Sequence, residues 1–279
     1  MKKILCVLFI LFFPIFCAAK TYTFGIELSD WSGLSINQQL PSYKNLLAQL
    51  GEATGLDFKL KVYKSRKELA KDLAKGDIDI AYIKVMTFFF AQKRNDQLKP
   101  LLVSTHENKE NEHSLTYSAY IITPKKHDIH SIKELKNKPF GFTEKYAAGS
   151  FAYTVYYFQQ IGIDYKTYFS SHQFYHTSRR LFRALLKGEV DGGSVYDKGF
   201  DSHPDADNMR ILKTMTHIPD PMVVLNDQMD ASDAEKIHEA LIKIKPIGLP
   251  FNGFVNVPNG FYARAKIIFD RVYGNKINH

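Results

Sequence analysis

Two segments of the sequence place polar side chains where a buried strand runs into a helix. The first is residues 75–92, KGDIDIAYIKVMTFFFAQ, and the second is residues 188–196, GEVDGGSVY. Small ligands bind at such junctions in open α/β proteins, because backbone N–H groups point out of the sheet there. Two junctions of this kind predict a two-lobed protein that binds a small ligand in its cleft.

The first junction holds Lys84 and Phe88. A protonated lysine there would add a full positive charge to an oxyanion or carboxylate site; the alternative is a solvated lysine at the rim of a lobe. Phe88, Phe89 and Phe90 are consecutive and cannot all face one way on a helix. We expect most of this cluster to be core, with one ring lining the cleft.

A third junction, residues 146–151, opens another helix. The free N–H groups and positive end of a helix hold an anionic oxygen without help from hydroxyls. Tyr146 begins this turn, and Ala148 and Gly149 allow close approach of the backbone. Ser150 either hydrogen-bonds the ligand or serves only as an N-cap.

The remaining ligand-binding candidates occupy one further junction, the end of the junction at residues 188–196, and one loop. His176, Ser178 and Arg179 form one set, in which Arg179 offers bidentate contacts to carboxylate or phosphate. Tyr196 and Asp197 form the second. Asp197 suits a ligand that carries an amine, or it caps a helix. The lone tryptophan, Trp31, either covers the ligand from its loop or packs beneath that loop.

Strand and helix signals alternate along the chain, which predicts mostly parallel sheets covered by helices. About ten strands exceed one small sheet, so we expect an α/β fold of two doubly wound lobes with a ligand cleft between them. Residues 20–115 and 217–279 would form the first lobe and residues 116–216 the second. Ser65 with Glu68, and Ser131 with Glu134, have the spacing of capping boxes that open helices.

The first nineteen residues have the pattern of a secretory signal, with cleavage after Ala19. Lipidation at Cys17 is the alternative, although Phe16 is larger than lipoprotein signals favour. The 279-residue chain has a net charge of +8, which allows an anionic ligand or reflects a generally basic secreted protein. Nucleic acid is not expected, because the basic residues are scattered singly.

The order of the motifs GDIDIAYI, YSAYIITP, SIKELKNKPFGF, FQQIGID, LLKGEVDGGSV and IPDPMVVLND resembles the phosphate/phosphite/phosphonate-binding family of ABC-transporter periplasmic proteins. The resemblance covers essentially all of the chain after the signal. It implies a type II periplasmic-binding fold, a periplasmic location, and delivery of a small anionic ligand to an inner-membrane ABC permease. We expect a monomer.

The sequence departs from that family at the residues that grip the ligand. Relatives have a Ser-Thr-Ser-Gly turn where this chain has Ala147, Ala148, Gly149 and Ser150. They also have Gly-Pro and then a ligand-facing tyrosine where this chain has Lys84, Val85 and Phe88. Their Ser-His pair falls on Thr177 and Ser178, with His176 two positions before Ser178. A phosphonate ligand therefore does not follow from the resemblance alone.

Enzyme motifs are missing from the sequence. It has no G-x-S-x-G, H-E-x-x-H, C-x-x-C or P-loop, and its histidines have no spacing typical of metal ligands. We therefore predict no catalytic residues, no metal and no cofactor. The leading hypothesis is a solute-binding protein for an ABC importer. A ligand sensor that acts on a membrane signalling partner is the alternative, and a periplasmic enzyme is a third.

Overall fold

The computed structural model describes residues 20–27, 36–107 and 112–274. The predicted secretory signal with Cys17, and the loop residue Trp31, lie outside the described residues, so these predictions stand as made.

Twelve strands in the described residues form the two sheets. They are β1 (Thr21–Glu27), β2 (Asp57–Tyr63), β3 (Ile80–Ile83), β4 (Pro100–Glu107), β5 (His113–Ser114), β6 (Thr116–Pro124), β7 (Pro139–Phe142), β8 (Ser171–Phe174), β9 (Gly192–Tyr196), β10 (Met209–Pro219), β11 (Met222–Leu225) and β12 (Gly253–Asn256).

Helices flank both sheets. They are α1 (Ile36–Thr54), α2 (Arg66–Lys75), α3 (Val85–Gln92), α4 (Thr154–Gln160), α5 (Tyr165–Tyr168), α6 (Ser178–Lys187), α7 (Asp197–Asp201), α8 (Ala231–Lys243) and α9 (Ala263–Tyr273). A π-helical segment, Ala148–Tyr153, leads directly into α4. Single 3₁₀ turns occur at Lys125–His127, Ile132–Leu135 and Ala206–Asn208.

The strands form two sheets, and the predicted two-lobed α/β fold is confirmed. The first sheet has the order β12-β4-β11-β3-β1-β2, with β5 paired to β4, and the second has the order β10-β6-β9-β7-β8. The strands of each sheet follow the predicted lobe division, except that β10 continues to Pro219, past the predicted boundary. The division itself stays a prediction.

The expectation of mostly parallel sheets is wrong. β1 pairs in parallel with β2 and β3, and β7 pairs in parallel with β8 and β9. β4, β6, β10, β11 and β12 enter antiparallel pairs. Antiparallel neighbours need no helical crossover between them. A strand that comes just before or after a crossing between the lobes can therefore pair with its sheet without an intervening helix.

Capping residues set the bounds of the helices that present the site. Ser65 accepts a hydrogen bond from Glu68 N–H at the start of α2, as predicted, and Gly76 ends that helix with φ of 82°. The second predicted capping box is wrong. Ser131 Oγ donates to Glu134 Oε1 at 2.7 Å, does not cap the backbone, and precedes only the single 3₁₀ turn Ile132–Leu135.

The C-terminal helix α9 packs against both lobes. The ring of Phe269 lies 5.3 Å from that of Phe89 in α3, and the ring of Tyr273 lies 6.2 Å from that of Phe151 in the π-helical segment. The Tyr273 hydroxyl donates to the Lys145 carbonyl at 2.8 Å. The last segment, which we predicted to return to the first lobe, also contacts the second lobe through its aromatic residues.

Within the described part of the chain, no helix combines the length and apolar character needed to cross a membrane.

Candidate functional site

A cavity of about 70 Å³ lies between the two lobes. Among the predicted ligand-binding residues, Lys84 lines it from the first lobe, and Ala148, Gly149 and Ser150 line it from the second. His176, Ser178 and Tyr196 complete the predicted set that the structure brings together there. Drug-sized ligands occupy pockets of about 300–1,000 Å³, so this cavity suits a much smaller molecule.

The π-helical segment presents unused backbone N–H groups at the cavity. Its first intrahelical hydrogen bond runs from Ala152 N–H to the Ala147 carbonyl at 3.0 Å. The N–H groups of residues 148–151 precede that bond and have no acceptor within the helix. Since the segment continues into α4, the helical run carries a positive end toward the cavity, which favours an anion.

Close packing explains why the turn carries a glycine at position 149. A Cβ placed on Gly149 would lie 2.8 Å from the Ala119 Cβ of β6 and 3.3 Å from a ring carbon of Tyr117. Thr154 braces the same segment, since its buried hydroxyl donates to the Gly149 carbonyl at 3.0 Å. The backbone of the π-helical segment is therefore held firmly against β6.

The hydroxyl groups at the cavity do not occupy the serine and threonine positions of the Ser-Thr-Ser-Gly turn expected from the family resemblance. Thr143 Oγ1, just after β7, shares a short hydrogen bond with Ser150 Oγ. Ser150 lies inside the π-helical segment, whose N-cap is Ala147, so Ser150 is not the N-cap that we had considered. Ser178 is only 9% exposed, and its Oγ has no hydrogen-bond partner among the described residues. A buried hydroxyl without a partner is costly unless a ligand or water satisfies it.

Four charged side chains, those of Arg66, Lys84, Glu27 and Glu144, form a cluster at the cavity, and all of them except Glu27 line it. Arg66, the first residue of α2, places Nε 2.6 Å from Glu27 Oε1 and Nη2 2.5 Å from Glu144 Oε2. Its Nη1 donates to the Tyr146 carbonyl at 2.9 Å. Arg66 and Glu27 belong to the first lobe and Glu144 to the second, so the guanidinium links the two lobes directly.

The same ion pairs set the protonation of this cluster. Burial works to raise the pKa of Glu27, but the positive charges of Arg66 and Lys84 outweigh it and hold that pKa below its ordinary value. Burial lowers the pKa of Lys84 from 10.5 to about 8, even though Glu27 lies 3.6 Å from its Nζ. Lys84 is therefore a lysine that can change its charge within a moderately alkaline range.

Several predicted residues lie away from the cavity lining. Phe88 is 2% exposed and packs against Phe89 and Tyr262, so it belongs to the core. The Tyr146 ring packs edge-on against Phe90, and only its backbone carbonyl joins the site through Arg66. Arg179 is exposed on the surface of α6.

Asp197 is also absent from the residues that line the cavity. Its Oδ2 accepts the Ser118 N–H and its Oδ1 accepts the Lys198 N–H, each at 2.7 Å. Burial raises the pKa of this carboxyl despite those bonds. The contacts favour the structural alternative, in which Asp197 stabilises the start of α7.

Sequence reasoning missed part of the lining. The unpredicted residues are Arg66, Tyr117, Thr143, Glu144, Ala147 and Thr177. Arg66 follows a strand and opens a helix, so the junction rule applied at Lys84 would have found it. We had interpreted that junction only as a capping box formed by Ser65 and Glu68, and so did not consider Arg66 as a cavity residue. Glu144 follows β7 and carried the same positional signal.

Among the residues described, no cluster of three or more His, Cys, Asp or Glu side chains could hold a metal ion.

Comparison with known families identifies the chain. The sequence profile of the ABC transporter, phosphonate, periplasmic substrate-binding protein family matches residues 36–248, more than half of the chain. The chain belongs to this family. The resemblance drawn from the motif order is thereby confirmed. No curated protein sequence matches the chain.

Solved structures similar to this phosphonate-family member share its fold at low sequence identity. XAC2383 from Xanthomonas citri, solved with chloride ion and with ATP, has a TM-score of 0.75 and 13% identity in the chloride form, covering 91% of this chain and 99% of that one. PhnD1 from Prochlorococcus marinus in complex with methylphosphonate gives 0.73 and 14%, with coverage of 92% and 99%. The aliphatic sulphonate binding protein SsuA from Escherichia coli gives 0.62 and 14%, with coverage of 93% and 89%.

Family membership supports the main functional hypothesis. The chain is a periplasmic substrate-binding protein of the ABC phosphonate-transporter family. Proteins of this family bind small ligands for a permease and are not enzymes. The alternative of a signalling sensor receives no support from these comparisons.

Proposed function

We propose that this protein binds one small oxyanion in the interlobe cavity and delivers it to its ABC permease. The observation that carries the proposal is the cavity itself, about 70 Å³, bounded by helix N–H groups, the Lys84 ammonium and the Ser178 hydroxyl, which lacks a partner among the described residues. All three kinds of group donate hydrogen bonds, and an oxyanion accepts them.

The size of the cavity restricts the ligand class. A water molecule takes up about 30 Å³ in the liquid, so the volume suits an ion with a few heavy atoms. XAC2383 has been solved with ATP, and a nucleotide would require this cavity to open widely. Methylphosphonate, the ligand in the PhnD1 structure, is of the right size and shape. We therefore place phosphonates with a short substituent first among the ligands to test.

The charge balance agrees with an anion of low charge. Arg66 is paired with both Glu27 and Glu144, so it contributes little net positive charge to the cavity. Lys84 shares Glu27 at the longer distance of 3.6 Å, so its ammonium and the positive helix end are the groups that attract an anion. Hinge closure of the two lobes would bury the ligand among them. We further propose that the protein is a monomer and is secreted through a cleavable signal.

A thermal-shift screen tests this function. Purified mature protein is heated with inorganic phosphate, phosphite, methylphosphonate, methanesulfonate or acetate, and isothermal titration follows any hit. A ligand present at about 100 times its Kd adds about 2.7 kcal/mol to the free energy of unfolding, a shift that is easily measured. A well-folded sample that none of these anions stabilises would overturn the proposal.

A further inference from the structure

The cavity combines many hydrogen-bond donors with one carboxylate. The donors are the N–H groups that open the π-helical segment, the Ser178 hydroxyl and the Lys84 ammonium. Of the described residues that line the cavity, Glu144 alone contributes a carboxylate. An ionised carboxylate only accepts hydrogen bonds and repels an oxygen that has no proton to give.

Glu144 pairs with the first lobe through one oxygen, since its Oε2 lies 2.5 Å from Arg66 Nη2. Its side chain is 35% exposed, compared with 11% for Arg66, and it lines the cavity. The carboxylate is therefore within reach of a ligand in the cavity.

From this donor and acceptor pattern we infer that Glu144 determines specificity by requiring a tetrahedral oxyanion that still carries a proton. A phosphonate monoanion has one P–OH that can donate to Glu144 and two oxygens that accept from the opposite wall. A sulfonate has the same shape and charge but no proton on its oxygens. It would offer Glu144 no donor from the ligand and would place an oxygen against the carboxylate. This inference rests on the proposed oxyanion function and deepens it.

The discriminating experiment compares methylphosphonate with methanesulfonate by isothermal titration. It is run at about pH 6, where a phosphate-like group retains much of its last proton. We expect wild-type protein to bind methylphosphonate at least about tenfold more tightly than methanesulfonate. In Glu144→Gln the amide can donate to a bare oxygen, so the preference should shrink to within about threefold.

A matched variant controls for loss of a surface carboxylate. Glu239→Gln removes an exposed carboxylate of α8, whose Oε2 lies 3.8 Å from Lys243 Nζ, and should keep the wild-type preference. Circular dichroism melts without ligand check that each variant is folded.

The outcomes separate this inference from the proposed function. Equal wild-type binding of both ligands would overturn the role of Glu144 while leaving an oxyanion-binding protein. A Glu144→Gln variant that weakens both ligands by the same factor would show that Glu144 only holds the lobes together, and would also overturn it. Wild-type protein that binds neither ligand would overturn the inference, and the proposed function would fall only if phosphate, phosphite and acetate did not bind either.

Discussion

Arg66 Nη2 lies 2.5 Å from Glu144 Oε2, and this ion pair joins the two lobes beside the cavity. The same guanidinium contacts Glu27 of the first lobe at 2.6 Å. Opening the cleft must therefore separate Glu144 and the Tyr146 carbonyl from Arg66. Arg66 therefore both lines the cavity and links the lobes.

Replacing Arg66 should destabilise the fold strongly. In Arg66→Met, the buried Glu27 carboxylate would lose its nearest positive charge and Glu144 its only ion pair among the described residues. Removing one partner of a buried ion pair costs about 3–5 kcal/mol. Urea denaturation measures the change in the free energy of unfolding.

Lys61→Met is the matched control for that experiment. Lys61 Nζ lies 2.9 Å from Asp72 Oδ2, but the lysine side chain is 44% exposed, so its loss should cost about 0–1 kcal/mol. Similar losses in the two variants would contradict a structural role for the buried cluster.

The lowered pKa of Lys84 predicts that ligand affinity depends on pH. Below its pKa of about 8 the ammonium is charged and attracts an anion; above it the amine is neutral. Affinity for methylphosphonate should therefore fall as pH rises through about 8, by up to about tenfold per pH unit. Titration calorimetry across this range measures it, and Lys84→Met, in which only the ligand itself titrates, should lack this part of the dependence.

The free energy of unfolding of the ligand-free protein should rise with pH over the range in which ligand affinity falls. Between pH 8 and 10.5 the unfolded chain keeps the proton on Lys84 while the folded protein has lost it. The unfolded state then binds more protons, so the contribution of Lys84 to the free energy of unfolding rises with pH. The difference in unfolding free energy between wild type and Lys84→Met should increase over this window; a flat difference would argue against the lowered pKa.

Ser178→Ala should separate affinity from stability. The buried hydroxyl lacks a partner among the described residues, so its removal should leave the ligand-free protein equally stable or about 1 kcal/mol more stable. Ligand affinity should fall about tenfold or more, because hydrogen bonds to charged groups contribute about 1.5–3 kcal/mol. Thermal melts with and without methylphosphonate give both quantities.

Ser65→Ala provides the opposite pattern as a control. Ser65 caps α2, and losing the cap should cost about 1 kcal/mol of stability with no change in affinity. If Ser178→Ala behaved like Ser65→Ala, Ser178 would be a structural residue.

Gly149→Ala should disturb the packing of the π-helical segment that lines the cavity. The new methyl group would lie 2.8 Å from the Ala119 Cβ, and overpacking of this kind costs about 1–3 kcal/mol. Gly274→Ala, with no atom near the added Cβ, should be close to neutral. Chemical denaturation of both variants tests this, and equal stability of the two would contradict the close packing of the π-helical segment against β6.

The sequence alone determined the family of the protein and predicted most of the junctions that line the cavity. Motif order identified the family, strand-to-helix junctions indicated the cavity wall, and Lys84, Gly149 and Ser178 were found by position. These signals are local: a buried strand followed by a helix start exposes N–H groups whatever the rest of the chain does.

Only the tertiary structure decided which junction residues share the cavity. Phe88 shares the junction of Lys84 and Asp197 occupies an equivalent one, yet Phe88 packs in the core and Asp197 binds backbone N–H groups. Arg66 and Glu144 are far apart in the chain, and no local pattern pairs them. Their contact arises because the two lobes close on each other, so the charge of the site depends on long-range packing that the sequence does not display.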